Sequence, residues 1–435
     1  MERRRLIELD RKLLWRPYTA FEDHQEQEPL VIERAEGVRL YDVNGQSYID
    51  ANGSWWTNTL GHGHPRIKAA LVKQTQSLMH CAFAGISHEP AVLLAKDLLD
   101  VAPKGLSRVF FSDDGSTSIE VAIKMAFQYW QQNSQPKRTR FISLSNAFHG
   151  DTLGATSLGG VQAFRKVFGP ILFDVLRTPE ADDAQGWEKA IDAIEVELKQ
   201  NATSFAAVIV EPLIQGAAGM QIWPASLLAR LHSLCKKHDV FLIADEVFTG
   251  YGRTGKMWAC DHATITPDIL CTAKAFSAGA FPMAATLATD RIYDGFKGGK
   301  ERALMYGHTF YGNPLGASIA REVLAVYRDE KIIEQVNQKA PLLAQAFDDL
   351  GAHPGVTRTR HLGLVAAADL GKNNYYGNAG WLVYEEAKAR GVYLRPLGNT
   401  VYIAPPLVIG NDELEELLAT IAASIDAAYE KAPWS

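Results

Sequence analysis

The feature that most constrains the fold is a series of short, unbroken apolar segments that alternate with helical segments through the middle of the chain. Helical apolar spacing marks residues 116–133, and another helical segment precedes residue 240. Strands are expected at 108–111, 140–144, 205–210, 240–244 and 269–273. Apolar strands of this kind are buried on both faces, as in a parallel sheet covered by helices. The sequence therefore predicts an α/β fold with a large domain whose mostly parallel sheet is flanked by helices.

The two ends of the chain have a different pattern. Residues 30–50 contain short alternating segments around an Asn-Gly pair at 44–45, which favours an antiparallel hairpin. From about residue 333, helical segments alternate with short strands. We therefore expect a small α+β domain made from residues 1–52 and 333–435, with the large domain at 53–332. The extreme N-terminus mixes arginines with acidic residues, which is typical of a short amphipathic helix and not of a signal peptide.

Composition and charge exclude several classes of protein. The net charge of −6 over 435 residues gives no reason to expect nucleic acid or an anionic membrane as a partner. None of the four cysteines forms a C-x-x-C pair or a metal-ligand spacing, so we expect reduced core thiols and no metal. No segment approaches the roughly 18 apolar residues of a membrane span. These observations predict a cytoplasmic protein.

Two carboxylates, Asp245 and Glu246, follow the apolar strand at 240–244. An ionised carboxylate at a buried strand end needs a positive partner. The next residues, GYGRTG, match a dinucleotide-binding motif, but no helical pattern opens within them and two carboxylates would repel a pyrophosphate. A phosphate-binding loop would require a hydroxyl residue after Lys256, where this chain has Met257. The glycines therefore favour a turn or loop, and Glu246 is expected to be structural.

A cationic heterocycle is a better partner for Asp245, and the neighbouring strand ends supply the other parts of a pyridoxal phosphate site. Lys274 follows the next strand among small and apolar residues, where desolvation lowers the pKa of an amine. Gly115 and Ser116 open a helix whose first amides can bind a phosphate, and Phe148 can cover the ring. Each residue alone has an ordinary structural explanation. Their shared position at strand ends indicates the cofactor.

These motifs resemble those of the fold-type I, class III pyridoxal-phosphate-dependent aminotransferases over nearly the whole chain. The matching segments are LIADEVFTGYGRTGKMWACDHATITPDILCTAKAFSAG, LGHGHP (60–65), VEP (210–212) and GHTFYGNPLG (307–316). The resemblance implies that Lys274 is the Schiff-base lysine and general acid–base group, with Asp245 on the pyridine nitrogen. It also implies a homodimer in which Thr309 reaches the phosphate bound by the neighbouring subunit, with His308 beside it.

Further segments resemble the branch of this family that converts 8-amino-7-oxononanoate to 7,8-diaminononanoate in biotin synthesis, with S-adenosylmethionine as amino donor. These segments are WRPYT (15–19), GSWWTNTLGHGHP (53–65), HGDT (149–152) and YLRPLGNTVYIAPP (393–406). By this resemblance, Arg395 binds the acceptor's carboxylate. The residues implied to line the substrate site are Tyr18, Trp55, Phe148, Asp151, Arg253, Gly307, Arg395 and Tyr402. One of the two adjacent tryptophans at 55 and 56 is expected to be a core residue.

Two positions depart from the pattern of that branch. Phe148 stands where the family usually has tyrosine, and His308 stands where some members have proline. The missing hydroxyl leaves lysine open as an alternative amino donor. Three rival hypotheses are another class III ω-aminotransferase, a non-catalytic homologue and a nicotinamide dehydrogenase. Trp55, Asp151 and Arg395 argue against the first, and the presence of both Lys274 and Asp245 argues against the second.

Overall fold

The computed structural model describes residues 3–372 and 374–434. Its strands are β1 (Ile32–Glu36), β2 (Arg39–Asp42), β3 (Ser47–Asp50), β4 (Leu106–Ser112), β5 (Arg140–Ser143), β6 (Val175–Arg177), β7 (Phe205–Val210), β8 (Ile214–Gln215), β9 (Gln221–Ile222), β10 (Phe241–Asp245), β11 (Ile269–Thr272), β12 (Ala284–Thr289), β13 (Val356–Leu362), β14 (Val365–Leu370), β15 (Val392–Tyr393) and β16 (Thr400–Ile403).

The α-helices are α1 (Arg3–Leu13), α2 (Phe21–Glu26), α3 (Gly53–Trp56), α4 (Pro65–Thr75), α5 (Glu89–Val101), α6 (Gly115–Gln132), α7 (Leu153–Leu158), α8 (Gln162–Arg165), α9 (Ala184–Asn201), α10 (Ala225–Lys237), α11 (Asp290–Asp294), α12 (Pro314–Asp329), α13 (Ile332–Leu350), α14 (Ala379–Ala389) and α15 (Asn411–Lys431). Short 3₁₀ segments lie at Lys166–Ile171, Ala202–Ser204, Ala259–His262, Lys274–Ser277 and Lys300–Arg302. No helix in the described part of the chain is long and apolar enough to cross a membrane.

A seven-stranded sheet with the order β4-β12-β11-β10-β7-β5-β6 forms the centre of the molecule. Strand β10 is parallel to β7 and β11, and β5 is parallel to β6 and β7. Strand β12 is antiparallel to both of its neighbours, β11 and β4. The carboxyl ends of β4, β5, β7, β10 and β11 therefore meet at one edge. The predicted α/β class with a mostly parallel sheet is confirmed.

Burial on both faces explains why these strands are continuously apolar in sequence. In β10, Phe241 and Ile243 pack in a cluster with residues of α6, such as Trp130. Their neighbours Leu242 and Ala244 pack in a second cluster, which includes residues of α9 and α10. Alternate side chains of a strand point to opposite faces, so a sheet covered on both sides needs an apolar residue at every position. The predicted strands and the helix at 116–133 are confirmed, with ends shifted by one or two residues.

Strands from the two ends of the chain form smaller sheets. Strand β2 pairs antiparallel with β1 and β3, and β3 pairs parallel with β15, which lies about 340 residues later in the chain. Strands β13, β14 and β16 form a separate antiparallel sheet. The turn predicted at 44–45 joins β2 to β3, with Gly45 at a φ of 82°. The domain limits after residues 52 and 332 stay a prediction.

Two expectations about local structure are met in part. Helix α1 begins at Arg3, and the first two residues of the predicted N-terminal helix lie outside the described residues. Cys235, Cys260 and Cys271 are buried free thiols, as expected. Cys81 is only half-buried, so it is not the core residue that was predicted.

Candidate active site

A cavity of about 460 Å³ lies where the carboxyl ends of the parallel strands meet. This edge is the usual ligand site of an open parallel sheet. The segments after five strands supply its lining, among them Gly115, Ser116, Phe148, His149, Asp151, Glu211, Asp245 and Lys274. The predicted cofactor residues of the large domain are thus brought together by the sheet, although they are spread over 160 positions of sequence.

Lys274 lies in this cavity, at the start of the 3₁₀ segment that follows β11. Its Nζ is 4.7 Å from the centre of the Trp56 ring. Burial lowers the pKa of the Lys274 amine, and the negative charges of Asp245, Glu211 and Asp151 act in the opposite direction. An amine with a lowered pKa is a better nucleophile and proton acceptor near neutrality, as a covalent role with a carbonyl cofactor requires.

Asp245 ends β10 with its carboxylate held in a defined orientation. Its Oδ2 lies 2.7 Å from His149 Nδ1, and its Oδ1 accepts a hydrogen bond of 3.1 Å from the amide of Val247. Both Asp245 and His149 are buried. In the described part of the chain, His149 Nε2 is buried and has no hydrogen-bond partner. A buried, oriented carboxylate of this kind can stabilise the protonated nitrogen of a heterocycle in the cavity.

The start of α6 forms the anion-binding part of the cavity. The Asp114 side chain caps the helix by accepting a 2.9 Å hydrogen bond from the amide of Thr117. Gly115 and Ser116, the first residues of this 18-residue helix, line the cavity at the helix's positive end. A Cβ on Gly115 would come within 2.7 Å of Val247 Cγ1, so this close packing requires glycine.

Phe148 lines the cavity and is placed by Glu211, which follows β7. Glu211 accepts hydrogen bonds from the amides of Phe148 at 2.9 Å and Gly216 at 3.0 Å. Burial raises the pKa of Glu211 to about 7. Sequence reasoning assigned no role to Glu211, His149 or Trp56. The first two carry the same signal as Asp245, a polar residue just after a buried strand or in its loop.

A second group of predicted residues lies together around Asp151, which lines the cavity, and we call this edge the mouth of the cavity. The Tyr18 hydroxyl donates a hydrogen bond to Asp151, and the Tyr18 ring is 5.7 Å from that of Trp55. The Arg395 guanidinium carbon lies 4.7 Å from the centre of the Trp55 ring and 5.9 Å from that of Tyr18. Phe164, which was not predicted, contacts Tyr18 and Phe148 with ring centres 5.6 and 5.1 Å away. The mouth therefore combines aromatic surfaces with one cation and one carboxylate.

Trp56 behaves only in part as the expected core tryptophan. It is buried and packs against Phe248 with ring centres 4.5 Å apart, whereas Trp55 is 39% exposed. Trp56 nevertheless lines the cavity beside Lys274. Both tryptophans consequently belong to the site, one at its floor and one at its mouth.

Two residues predicted to touch substrate are buried next to the site. Arg253 Nη1 donates hydrogen bonds to the carbonyls of Leu364 at 3.2 Å and Pro405 at 2.7 Å, whereas its Nη2 is buried without a partner among the described residues. The Tyr402 hydroxyl accepts a 3.2 Å hydrogen bond from Trp56 Nε1. Arg253 thus anchors a glycine-rich turn and Tyr402 supports Trp56, and the contact of either residue with substrate stays a prediction.

Glu246 and the glycine-rich stretch are structural, as expected. Glu246 is buried and accepts hydrogen bonds from Thr249 Oγ1 at 2.6 Å and from the amides of Ala259 and Cys260 at 3.0 and 2.8 Å. Burial raises its pKa to about 7. Residues 250–255 form turns and open no helix, so they lack the geometry of a dinucleotide site.

The segment from Gly307 to Thr309 was predicted to act on a neighbouring subunit. Gly307 and Thr309 are exposed in the single chain, and His308 Nδ1 lies 3.1 Å from Asp113 Oδ2. Asp113 lines the cavity, so this segment lies next to the site without entering it. The role of Thr309 and His308 toward a phosphate, and of Gly307 toward substrate, stays a prediction.

The cavity residues fit pyridoxal phosphate. Lys274 offers an amine of lowered pKa, Asp245 an oriented carboxylate and Phe148 an aromatic face. The first amides of α6 offer a phosphate site at the same cavity. Each part has a different chemistry, and together they match the aldehyde, ring nitrogen, ring face and phosphate of one molecule.

Comparisons with known proteins agree with this geometry. The aminotransferase class-III family matches residues 20–425. Relatives named adenosylmethionine-8-amino-7-oxononanoate aminotransferase include those of Geobacter sulfurreducens, 39% identical over 97% of both chains, and Synechococcus elongatus, 41% identical over 95% of this chain and 98% of the relative. The crystal structure of the enzyme of that name from Methanocaldococcus jannaschii is 36% identical, covers 98% of this chain and 99% of the other, and has a TM-score of 0.94. The crystal structure of an ω-transaminase from Pseudomonas jessenii in complex with PMP is 30% identical. The match covers 99% of this chain and 100% of the other, with a TM-score of 0.91.

Proposed function

The chain belongs to the class III aminotransferases, and we propose that it moves an amino group from S-adenosylmethionine to the ketone of 8-amino-7-oxononanoate, producing 7,8-diaminononanoate for biotin synthesis. It is a pyridoxal-phosphate-dependent transaminase. The observation that carries the proposal is the pairing of a Lys274–Asp245 centre with an aromatic mouth that contains Arg395. The named relatives support the choice of acceptor.

The mouth suits an acceptor with a carboxylate at one end and a reactive ketone at the other. Arg395 is half-buried, and its guanidinium can bind a carboxylate through two parallel hydrogen bonds. Trp55 and Tyr18 lie beside Arg395 and offer apolar faces to an alkyl chain. Trp56, beside Lys274, bounds the other end of the path. An extended aliphatic acid therefore matches the order of groups from mouth to floor.

The same aromatic surfaces suit the proposed donor. A sulfonium cation is attracted to the faces of aromatic rings, by about 0.5–2 kcal/mol depending on desolvation. Tyr18, Trp55 and Phe148 supply such faces without needing a hydroxyl at position 148. A lysine donor would need a carboxylate for its second ammonium, and Asp151, which accepts the hydrogen bond of Tyr18, is the candidate for that role. The aromatic surfaces support S-adenosylmethionine as the donor, with lysine as the alternative.

The protein's part in the reaction is to place charges and move one proton. When bound, pyridoxal phosphate supplies an electron sink for the electron pair released as the carbon bearing the amino group loses its proton. Lys274 Nζ is the base that would accept that proton and later return it, because burial lowers the amine's pKa. Asp245, oriented by Val247 and His149, would hold a proton on the ring nitrogen of the bound group. In the second half-reaction the same residues act in reverse on the acceptor.

We further propose that the enzyme is a homodimer whose sites lie at the subunit interface. Thr309 is exposed, and the large apolar side chains of Met305 and Phe310 beside it are more than half exposed. A contiguous apolar surface next to a site is typical of a protein interface. Sedimentation of the cofactor-loaded protein at micromolar concentration should give twice the mass of one chain. A monomer with full activity would contradict this assembly.

A half-reaction screen tests the donor and the acceptor separately. The cofactor-loaded enzyme is mixed with S-adenosylmethionine or lysine, and the cofactor's visible band is followed with time. We expect S-adenosylmethionine to bleach the band and 8-amino-7-oxononanoate to restore it. In the control variant Lys274→Ala, the band should neither bleach with the donor nor be restored by the acceptor.

Each alternative gives a distinct result in this screen. If lysine bleaches the band and S-adenosylmethionine does not, lysine is the amino donor, and the assignment of the acceptor is unaffected. Restoration of the band by other ketones, with none by 8-amino-7-oxononanoate, would identify a different class III ω-aminotransferase.

A further inference from the structure

Residues 53–56 form a single turn of left-handed helix immediately before the cavity floor. The φ angles are 52° for Gly53, 46° for Ser54, 66° for Trp55 and 75° for Trp56. The turn is closed by i→i+4 hydrogen bonds, from the Trp56 amide to the Asn52 carbonyl at 2.8 Å and from the Thr57 amide to the Gly53 carbonyl at 3.0 Å. This hand is unfavourable for L-residues with a side chain, and such residues rarely adopt it in succession. Three consecutive ones indicate that the surrounding structure enforces the turn.

The Asp50 side chain holds the turn through hydrogen bonds. It is fully buried at the end of β3, and its Oδ2 accepts a 2.7 Å hydrogen bond from Ser54 Oγ. The same oxygen lies 3.0 Å from His62 Nε2, while Oδ1 accepts a 3.3 Å hydrogen bond from the Asn52 amide. One buried carboxylate therefore joins the residue before the turn, a residue within it and the chain that follows.

Asn52 fastens the turn to the segment that carries Arg395. Its side chain is buried, with Oδ1 accepting a 2.5 Å hydrogen bond from the Arg395 amide and Nδ2 donating to the Tyr402 carbonyl at 3.1 Å. Its own carbonyl accepts the first hydrogen bond of the turn. Asn52 thus touches both the element that presents the tryptophans and the element that presents the mouth arginine.

The hand of the turn decides where the two indole rings lie. In an extended strand, consecutive side chains would point to opposite faces, and one ring would leave the site. Here Trp56 lies 4.7 Å from Lys274 Nζ, and Trp55 lies 4.7 Å from the Arg395 guanidinium. The two rings therefore mark the two ends of the path between the reacting amine and the carboxylate-binding cation.

We propose that this left-handed turn is the specificity-determining element of the site, with Asp50 and Asn52 as its positioning residues. By fixing Trp56 at Lys274 and Trp55 at Arg395, the turn sets the distance between the two ends. The enzyme consequently selects acceptors by the length of the chain that separates ketone from carboxylate. The selection of an acceptor rests on the proposed function, whereas the conformation of the turn does not.

The conformation is tested by comparing alanine with glycine at Ser54. Both Ser54→Ala and Ser54→Gly lose the bond to Asp50, but only glycine adopts a positive φ without strain. We expect the cofactor-loaded Ser54→Gly protein to melt about 1–2 °C above Ser54→Ala.

Ser318 is the matched control, because its hydroxyl makes one 2.8 Å side-chain hydrogen bond, to Gln74, from within the right-handed helix α12. At this position the order of melting temperatures should invert, with Ser318→Ala melting above Ser318→Gly. The same order of melting temperatures at both positions would overturn the inference that residues 53–56 form a left-handed turn.

The specificity role is tested with Asn52→Ala and a series of acceptors that differ by single methylenes. In the wild type, one methylene should change kcat/KM by roughly 10-fold to 200-fold. In Asn52→Ala we expect this ratio to approach 1, because the apparent binding of 8-amino-7-oxononanoate weakens most for the chain length that the wild type prefers. Asn52→Asp, which keeps the acceptor for the Arg395 amide, should restore part of the ratio.

Three outcomes distinguish failure of the specificity role from failure of the proposed function. A uniform loss of rate with an unchanged methylene ratio would assign Asn52 a merely structural role and overturn the proposal. If Asn52→Ala does not fold, Ser54→Gly serves in the same assay, since it loosens the link to Asp50 while keeping the backbone allowed. A wild-type enzyme that ignores 8-amino-7-oxononanoate would overturn the proposed function and the selection by length, while the Ser54 comparison would still decide the turn.

Discussion

Replacing Arg395 by alanine should weaken acceptor binding and leave the chemical step intact. The guanidinium lies beside Trp55 and Tyr18 at the mouth and has no carboxylate partner within salt-bridge distance among the described residues. A charge-assisted hydrogen-bond pair contributes about 1.5–3 kcal/mol. Because Arg395 is half-buried, solvent screening favours the lower half of that range. The Michaelis constant for the acceptor should therefore rise by roughly 13-fold to 45-fold, with a ceiling near 150-fold.

The assay is steady-state kinetics with the acceptor and with its methyl ester. The ester lacks the negative charge, so it should bind poorly to the wild type and lose little more in Arg395→Ala. Arg395→Lys keeps the positive charge but loses the paired hydrogen-bond donors. Its Michaelis constant for the acceptor should therefore lie between those of the wild type and Arg395→Ala. Arg321→Ala is the matched control, because Arg321 pairs with Asp97 on α5, away from the mouth. An equal loss for acid and ester would refute the carboxylate pairing.

Three further predictions concern other positions. Asp245→Asn should retain the fold and lower the rate of both half-reactions by about 10²–10³, since an amide cannot stabilise a protonated ring nitrogen, and near-normal single-turnover rates would contradict that role. Phe148→Tyr should leave the acceptor half-reaction unchanged and alter donor binding by less than about 1 kcal/mol, the scale of one neutral hydrogen bond, as measured by donor titration of the visible band. Lys339 is buried and donates to the carbonyls of Leu407 and Ile409, and burial lowers its pKa to about 8 from 10.5. The unfolded state holds this proton between those two values and the folded state does not, so the free energy of unfolding should rise with pH between 8 and 10.5 relative to Lys339→Met. Urea unfolding at pH values of about 7.5 and 9.5 should show this difference, and parallel pH dependence in both proteins would refute it.

Much of the site was predictable because its signal is local. Lys274 and Asp245 each follow a short apolar run, and Gly115 and Ser116 together open a strongly periodic helix. Parallel strands bring their carboxyl ends to one edge whatever the order of the strands. Knowing which residues end the strands was therefore enough to group residues that line the cavity. The antiparallel β12 did not disturb this inference, since it adds no carboxyl end to that edge.

Side-chain direction at the mouth and beneath it was decided by tertiary structure. Arg253 and Tyr402 belong to motifs of the substrate site, yet both are buried behind it, because the carbonyls of Leu364 and Pro405 bind the first and Trp56 covers the second. A motif specifies which residues lie near one another, and it does not specify which atoms face the cavity.

By itself, the sequence determined the α/β class, the strand ends and the grouping of Gly115, Ser116, Phe148, Asp245 and Lys274 at one cavity, since these follow from apolar periodicity and from the geometry of parallel strands. Only the tertiary structure decided that both Trp55 and Trp56 serve the site. Their placement depends on a left-handed turn in which only Gly53 has a local preference for a positive φ, and which buried Asp50 and Asn52 hold through hydrogen bonds. An unfavourable backbone conformation exists only when the rest of the fold stabilises it, and for that reason Ser54, Trp55 and Trp56 carry no sign of it.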